Sequence, residues 1–272
     1  MPERSETLGE AVRRATRLLR QAGIGEADTD ARRCCEAVTG YTPSTLFLHE
    51  TQSLTPQQSA KLDAMVASRI EGTPVGRILN EREFYGLPFR LVPETLEPRI
   101  DTEVLVDTVL DVLPTKPASP PIILDLGCGS GAVGLAILSH RSDVMCVAVD
   151  ISPNAAACAK ANAEMLGVGE RFFVVAGSWG AALAVRFDAV ISNPPYIPNG
   201  DLECLPIEVR EHDPILALDG GADGLDAYRS IIADGDRLLA PRGFDATQAR
   251  DPYQPSPSAG ARYRNLPALP DF

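Results

Sequence analysis

Asn193-Pro194-Pro195-Tyr196 follows the apolar run Phe187 to Ile191 and is the tetrapeptide of this chain best equipped for chemistry. An amide or exocyclic NH2 is a weak nucleophile because its lone pair is delocalised. An enzyme that alkylates it must align the nitrogen and stabilise it as it pyramidalises. The Asn193 side-chain oxygen and the Pro194 carbonyl can accept from the two N–H groups, since the prolines stiffen the loop and bring no N–H of their own. Tyr196 can stack on the planar group. The plain alternative is a turn after a strand, as Pro-rich loops often are.

A second candidate is Asp125-Leu-Gly-Cys-Gly-Ser-Gly131, whose glycine-rich turn follows the apolar run Ile122 to Leu126 and opens a helix. Its glycines let the backbone approach a ligand closely, and a helix start offers free N–H groups. Taken alone, the turn equally suits a dinucleotide oxidoreductase or a tight turn with no ligand. Asp150 ends the next apolar run about twenty residues on, where a carboxylate can accept from both ribose hydroxyls. The spacing GCGSG, unlike GxGxxG, makes little provision for a pyrophosphate, which favours an adenosyl group without phosphates. Trp179, the only tryptophan, follows a third apolar run and is placed to meet an adenine; a hydrophobic plug is the other reading.

These residues need a scaffold that brings the ends of several strands together. Ile122 to Leu126, Met145 to Val149, Phe172 to Val175 and Phe187 to Ile191 read as buried strands. Helical stretches lie between them, including one with Ser152 as N-cap and Pro153 at N1 that reaches Leu166. The alternation predicts an α/β doubly wound parallel sheet, in which ligands bind at the carboxyl ends of strands. Upstream, residues 1–79 read as a small helical domain with helices near 5–19, 31–38 and 55–71, and residues 80–94 read as a hairpin linker around Gly86-Leu87-Pro88. Residues 95–240 form the catalytic domain, with a helix near 102–113 and a Pro-rich connector over 114–121. Residues 241–272, rich in Pro, Ser and Ala, read as a tail without strand or helix pattern.

Composition narrows the field. A hydrophobic share of 44% over 272 residues supports a substantial core. A net charge of −12 argues against broad phosphate-backbone binding. Six cysteines without CxxC spacing and three scattered histidines offer no metal site, and the expectation is reduced thiols in a cytoplasmic protein. The N-terminus has no apolar h-region and no stretch of bilayer length, so neither export nor membrane insertion is expected. His212 is read as a turn or capping residue, flanked by Glu211 and Asp213 on a solvated loop.

The sequence resembles the HemK-type (PrmC) protein-(glutamine-N5) methyltransferases from near its N-terminus to about Leu239. The resemblance rests on the helical N-terminal domain, REFYGLPFR, PRIDTE (98–103), DLGCGSGAVGLAI, Asp150, GSW, ISNPPYIP, and EVREHDPILALDGGADGLDAYRSII (208–232). It implies a Rossmann-like class I methyltransferase fold and S-adenosyl-L-methionine as cofactor. The substrate it implies is the Gly-Gly-Gln glutamine of class I peptide-chain release factors, hence a role in translation termination. By position, Gly127, Cys128, Gly129, Ser130, Gly131, Asp150, Trp179 and Asn193 would contact the cofactor. Asn193, Pro194, Pro195 and Tyr196 would hold the glutamine, with Asn193, Pro194 and Tyr196 as the catalytic set and no metal.

The pattern departs from the family at Glu97 and Ile100, and after Gly243 the family's terminal strands have no counterpart. Two competing readings stand beside methylation of a protein glutamine. One is an N6-adenine methyltransferase, since an adenine amino group offers the same planar NH2; the acidic charge weighs against it. The other is an inactive, C-terminally truncated remnant.

Overall fold

The computed structural model describes residues 6–115 and 119–248. They divide into two compact units, with the boundary between Asn80 and Glu81.

The first unit is helical throughout: α1 (Leu8–Gln21), α2 (Ala27–Thr39), α3 (Pro43–Leu48), α4 (Pro56–Ile70) and α5 (Val75–Leu79). Side chains set the helix starts. Thr7 with Glu10, and Thr55 with Gln58, form reciprocal capping boxes, and Pro56 occupies the first turn of α4. Leu8, Ala11, Ala15 and Leu19 make one stripe of α1. They pack with Ala27, Ala31, Cys34 and Cys35 of α2 and with Leu62 and Val66 of α4. Inside this apolar unit, Arg69 Nε donates to Asp30 Oδ2 at 2.7 Å, so the two buried charges neutralise one another. The sequence reading found α1, α2 and α4; α3 and α5 are too short to show a periodic stripe.

The second unit opens with a hairpin, β1 (Glu81–Phe84) and β2 (Leu87–Arg90), joined by Tyr85 and Gly86. Both turn residues have positive φ, 53° and 71°, as a type I′ turn requires. After α6 (Glu103–Val112) come β3 (Ile122–Leu126), α7 (Ala132–His140), β4 (Met145–Asp150), α8 (Pro153–Met165), β5 (Phe172–Ala176), β6 (Phe187–Ser192), α9 (Ile207–Arg210), α10 (Asp226–Leu238) and β7 (Leu239–Thr247). The five strands β5-β4-β3-β6-β7 form one parallel sheet. Ile123, Cys146, Ala148, Ala189 and Ile191 pack in one core with residues of α6, α7 and α8. Leu124, Leu126, Val149 and Val190 pack in another with Ile231 and Leu238 of α10. With both faces covered, the strands are apolar on both sides, and this is why they read as continuous hydrophobic runs.

One expectation is overturned. Residues 241–247 were expected to belong to a tail without strand character, yet they continue β7, which pairs with β6 from Phe187↔Leu239 to Ser192↔Thr247. The pairing slips between Phe187 and Ala189, and the bulge hides the alternation from the sequence. Gly243 makes the bulge possible, because a Cβ there would lie 2.8 Å from the Phe187 carbonyl oxygen. The remainder of that expected tail, and residues 116–118 of the Pro-rich connector, lie outside the described residues. Among the described residues, no helix is long and apolar enough to cross a membrane.

Gly131 caps α7 at φ 81°, and a Cβ on it would lie 2.9 Å from Leu135 Cδ1 and 3.2 Å from both Ala159 Cβ and Phe172 Cζ. Gly131→Ala therefore meets backbone strain and overlap together. It should destabilise the second unit by about 2–3 kcal/mol, read as a lowered denaturant midpoint at unchanged slope.

Candidate active site

Strand register fixes the site. Leu126 of β3 pairs with Val149 of β4 and with Ser192 of β6. The next residue on each strand is Gly127, Asp150 and Asn193, so three of the residues singled out in the sequence leave the sheet at one level. The Ser192 hydroxyl donates to the Leu126 carbonyl at 2.7 Å and ties the two loops at their roots.

A cavity of about 450 Å³ opens there. Gly127, Cys128, Gly129, Ser130, Asp150, Trp179, Asn193 and Pro195 all border it. Gly131, whose place is in the packing under α7, does not border it; nor do Pro194, which is buried, and Tyr196, which is half-buried. Gly127 and Gly129 have φ of 70° and 55°, and a Cβ on Gly129 would meet nothing within 4 Å. This loop lies open to a ligand.

Asp150 braces the loop from the neighbouring strand. Its Oδ2 accepts from the Gly129 N–H at 2.8 Å and its Oδ1 from the Ser152 N–H at 2.9 Å. Each carboxylate oxygen has a second lone pair, so Asp150 can hold the loop and still accept from a pair of hydroxyls. Trp179 adopts the left-handed conformation at φ 46°, uncommon for a bulky residue. Its ring lies against the glycine loop, with Cζ3 3.7 Å from the position of a Cβ on Gly127. Trp179 also packs on the apolar cluster around Leu124 and Ile231. Burial pushes the Cys128 thiol well above its usual range, which leaves it a packing group and not a nucleophile.

Charge is distributed one-sidedly around the cavity. Glu94, Asp125, Asp150, Asp219 and Asp226 border it, with no Lys, Arg or His among the lining residues. Such a lining disfavours a pyrophosphate and suits a ligand carrying positive charge, as the sulfonium of an adenosyl donor does. Volume and apolar walls, among them Phe84, Leu96, Val133 and Ile151, fit a nucleoside-sized molecule.

Asn193 is held from a direction the sequence reading missed. Its Nδ2 donates to the Thr102 hydroxyl at 3.3 Å, and Thr102 is 4% exposed. With its amide nitrogen engaged, the oxygen is left to accept. Thr102 belongs to PRIDTE, and Arg99 of the same segment reaches Asp213 at 2.5 Å. Asp213 was expected on a solvated flank; it is instead 6% exposed, drawn inward by the guanidinium. Glu97, where the family pattern has an apolar residue, is also buried and pairs with Arg82 of β1 at 3.2 Å. The segment 215–226 braces the Asn193 loop through its backbone. Ile197 donates to Leu218 O and accepts from the Gly220 N–H, and Asn199 donates to Gly221 O. Gly224, at φ 78°, lies so close that a Cβ would sit 2.5 Å from the Tyr196 carbonyl oxygen.

Asp125 also went unassigned. The penultimate residue of β3, it is buried and accepts from the Gly134 N–H at 3.1 Å, and burial, reinforced by the charge of Asp150, pushes its carboxyl up to about 7. An acid among apolar residues at the end of a strand was the available signal.

Two family profiles match the chain: "PrmC N-terminal domain" over residues 10–79 and "Methyltransferase small domain" over residues 100–204. Among curated proteins, the release factor glutamine methyltransferase of Bradyrhizobium diazoefficiens is 43% identical over 243 residues, covering 89% of this chain and 82% of that protein. That of Rhodospirillum rubrum is 41% identical over 254 residues, covering 92% and 77%. That of Moorella thermoacetica is 36% identical, covering 98% and 94%.

Two expected outcomes follow from this geometry. Thr102→Val frees the Asn193 amide to rotate and should lower kcat for methyl transfer about tenfold while leaving cofactor affinity within twofold, whereas Thr102→Ser should restore the rate. The second concerns pH. The folded state holds the Asp125 proton more tightly than the unfolded chain, so this contribution to stability is full below about pH 4 and is lost as pH rises towards 7. Between pH 5 and 8 the unmodified protein should lose roughly 2–3 kcal/mol relative to Asp125→Asn in denaturant titrations.

Proposed function

Because the chain belongs to the release factor glutamine methyltransferase family, we propose that its acidic cavity and Asn193 loop act together on the side-chain amide of the glutamine in the Gly-Gly-Gln motif of class I release factors. S-Adenosylmethionine supplies the methyl group as a sulfonium-bound electrophile. The observation that carries this reading is Asn193, fixed by Thr102 at the wall of a cavity whose charged lining is entirely acidic.

In this reading Gly127 to Gly129 and Ser130 lie along the cofactor, Asp150 accepts from the ribose hydroxyls and Trp179 covers the adenine. The Asn193 oxygen and the Pro194 carbonyl accept from the two N–H groups of the glutamine amide. They hold its lone pair towards the methyl group and stabilise the positive charge that develops on nitrogen. Pro195 and Tyr196 shape the wall against which the planar amide lies. The amide enters neutral; as the methyl group passes to nitrogen the donor leaves as a neutral thioether, and the nitrogen, cationic once alkylated, loses one N–H proton to water, so no residue of the site needs to act as a strong base. The helical unit serves to dock the protein substrate, and the reaction takes place in the cytoplasm, where release factors act. Nucleic acid is not the substrate in this reading, in keeping with the net charge of −12.

Calorimetric cofactor binding and radiolabel transfer to a purified release factor test the assignment together. Asp150→Ala should weaken S-adenosylmethionine binding at least tenfold. Asn193→Ala should keep binding within about threefold and lower kcat by a factor of about 100–1,000, as loss of a transition-state acceptor does. Label appearing in DNA or RNA and not in the release factor would contradict the proposal.

A further inference from the structure

The helical unit carries a feature that methyl transfer leaves unused. Arg13, Arg17 and Arg20 are spaced four and three residues apart, one stripe of α1 beside its buried face, and all are exposed. Together with exposed Arg32 of α2 they border one open hollow of about 460 Å³, with Val12 and Thr16 in its lining. Asp28 is its one carboxylate, and it pairs with Arg20 at 2.5 Å. Among the described residues, Arg13 and Arg17 form no ion pair, Arg32 has the charge of Glu36 one turn on in α2, and the acids at the start of α1 are used elsewhere. Glu6 pairs with Arg14 at 2.8 Å, and Glu10 is used in the capping box with Thr7.

The charge is local. Residues 1–80 hold ten Lys and Arg against ten Asp and Glu, so the net charge of −12 falls entirely on residues 81–272, which hold 15 against 27. Within a balanced unit, four guanidinium groups gathered around one hollow with one carboxylate make a patch of positive potential. Mutual repulsion disfavours that patch unless an anion meets it. Guanidinium forks match carboxylates in a bidentate manner. The net charge of −12 weighs against a long polyphosphate as partner, whereas a folded protein can present a few carboxylates locally.

We propose that this arginine-lined hollow docks an acidic segment of the release factor, so that substrate affinity is set in part on the helical unit and not only by the residues that act on the amide. The inference rests on the release-factor reading given above. Docking contributes to KM for the whole protein substrate and not to the chemistry of the amide.

The test compares the unmodified protein with a variant carrying Arg13→Gln, Arg17→Gln, Arg20→Gln and Arg32→Gln, on two substrates: a full-length release factor and a short peptide containing Gly-Gly-Gln. The expected result is a KM for the release factor raised about tenfold, with peptide kinetics unchanged, since several exposed ion pairs are lost at once. Added salt should raise KM for the release factor in the unmodified protein and much less in the variant. A KM changed less than twofold overturns the proposal, as does unchanged release-factor kinetics accompanied by lost binding of RNA. If the variant does not fold, judged by far-UV circular dichroism and thermal unfolding, the salt titration of the unmodified protein decides: a KM insensitive to salt overturns it. Failure of the unmodified protein to methylate either substrate contradicts the release-factor reading itself and is recognisable as such.

Discussion

The site depends on the parallel register of three strands. Leu126 is paired with Val149 on one side and with Ser192 on the other, so the glycine loop, Asp150 and Asn193 begin at the same height above the sheet. A slip of one residue would turn the side chains of that strand to the opposite face and part the loops. The register is enforced by burial on both faces, through Ile123, Ala189 and Ile191 towards one core and Leu124, Leu126 and Val190 towards the other. The hydroxyl of Ser192 adds a polar lock on Leu126. The rest of the site assumes this rim: a carboxylate that braces a loop on the neighbouring strand, a tryptophan against that loop, and an asparagine whose oxygen is left free.

The rim is completed by segments far away in the sequence. PRIDTE supplies Thr102 to Asn193 and Arg99 to Asp213, while 215–226 holds Ile197 and Asn199 through the backbone and leaves no room for a side chain at Gly224. These contacts make the asparagine loop stiff before any ligand arrives, and preorganisation of this kind is what a weak nucleophile requires. The carboxylates around the cavity add a field that favours a cationic donor. With Asp125 buried and its carboxyl raised to about 7, part of that field depends on pH.

Much of this was legible in the sequence because it rests on local signals. The apolar runs gave the strands β3 to β6, Ser152-Pro153 gave the start of α8, and Gly86 marked the hairpin turn. Gly127 and Gly129 of the glycine loop, Asp150, Trp179 and Asn193 declared themselves by type and by position at strand ends, and all of these border the cavity. What stayed hidden is non-local. Thr102 and Asp213 show their roles only through partners about ninety and more than a hundred residues away, and Asp213 looks like any acid beside a histidine until Arg99 is seen. β7 was missed because its bulge over Ala240 to Gly243 erases the alternation that identifies a strand, and an open edge of β6 recruited the segment regardless. Gly131 shows the opposite case: its motif suggested a ligand contact, whereas its packing against Leu135, Ala159 and Phe172 accounts for the absent side chain.

The most direct measurement is tandem mass spectrometry of a release factor incubated with this protein and S-adenosylmethionine. The account predicts one added methyl group, located on the side-chain nitrogen of the Gly-Gly-Gln glutamine and absent when Asn193 is replaced by alanine. A methyl group on another residue, or one that still appears without Asn193, would contradict it.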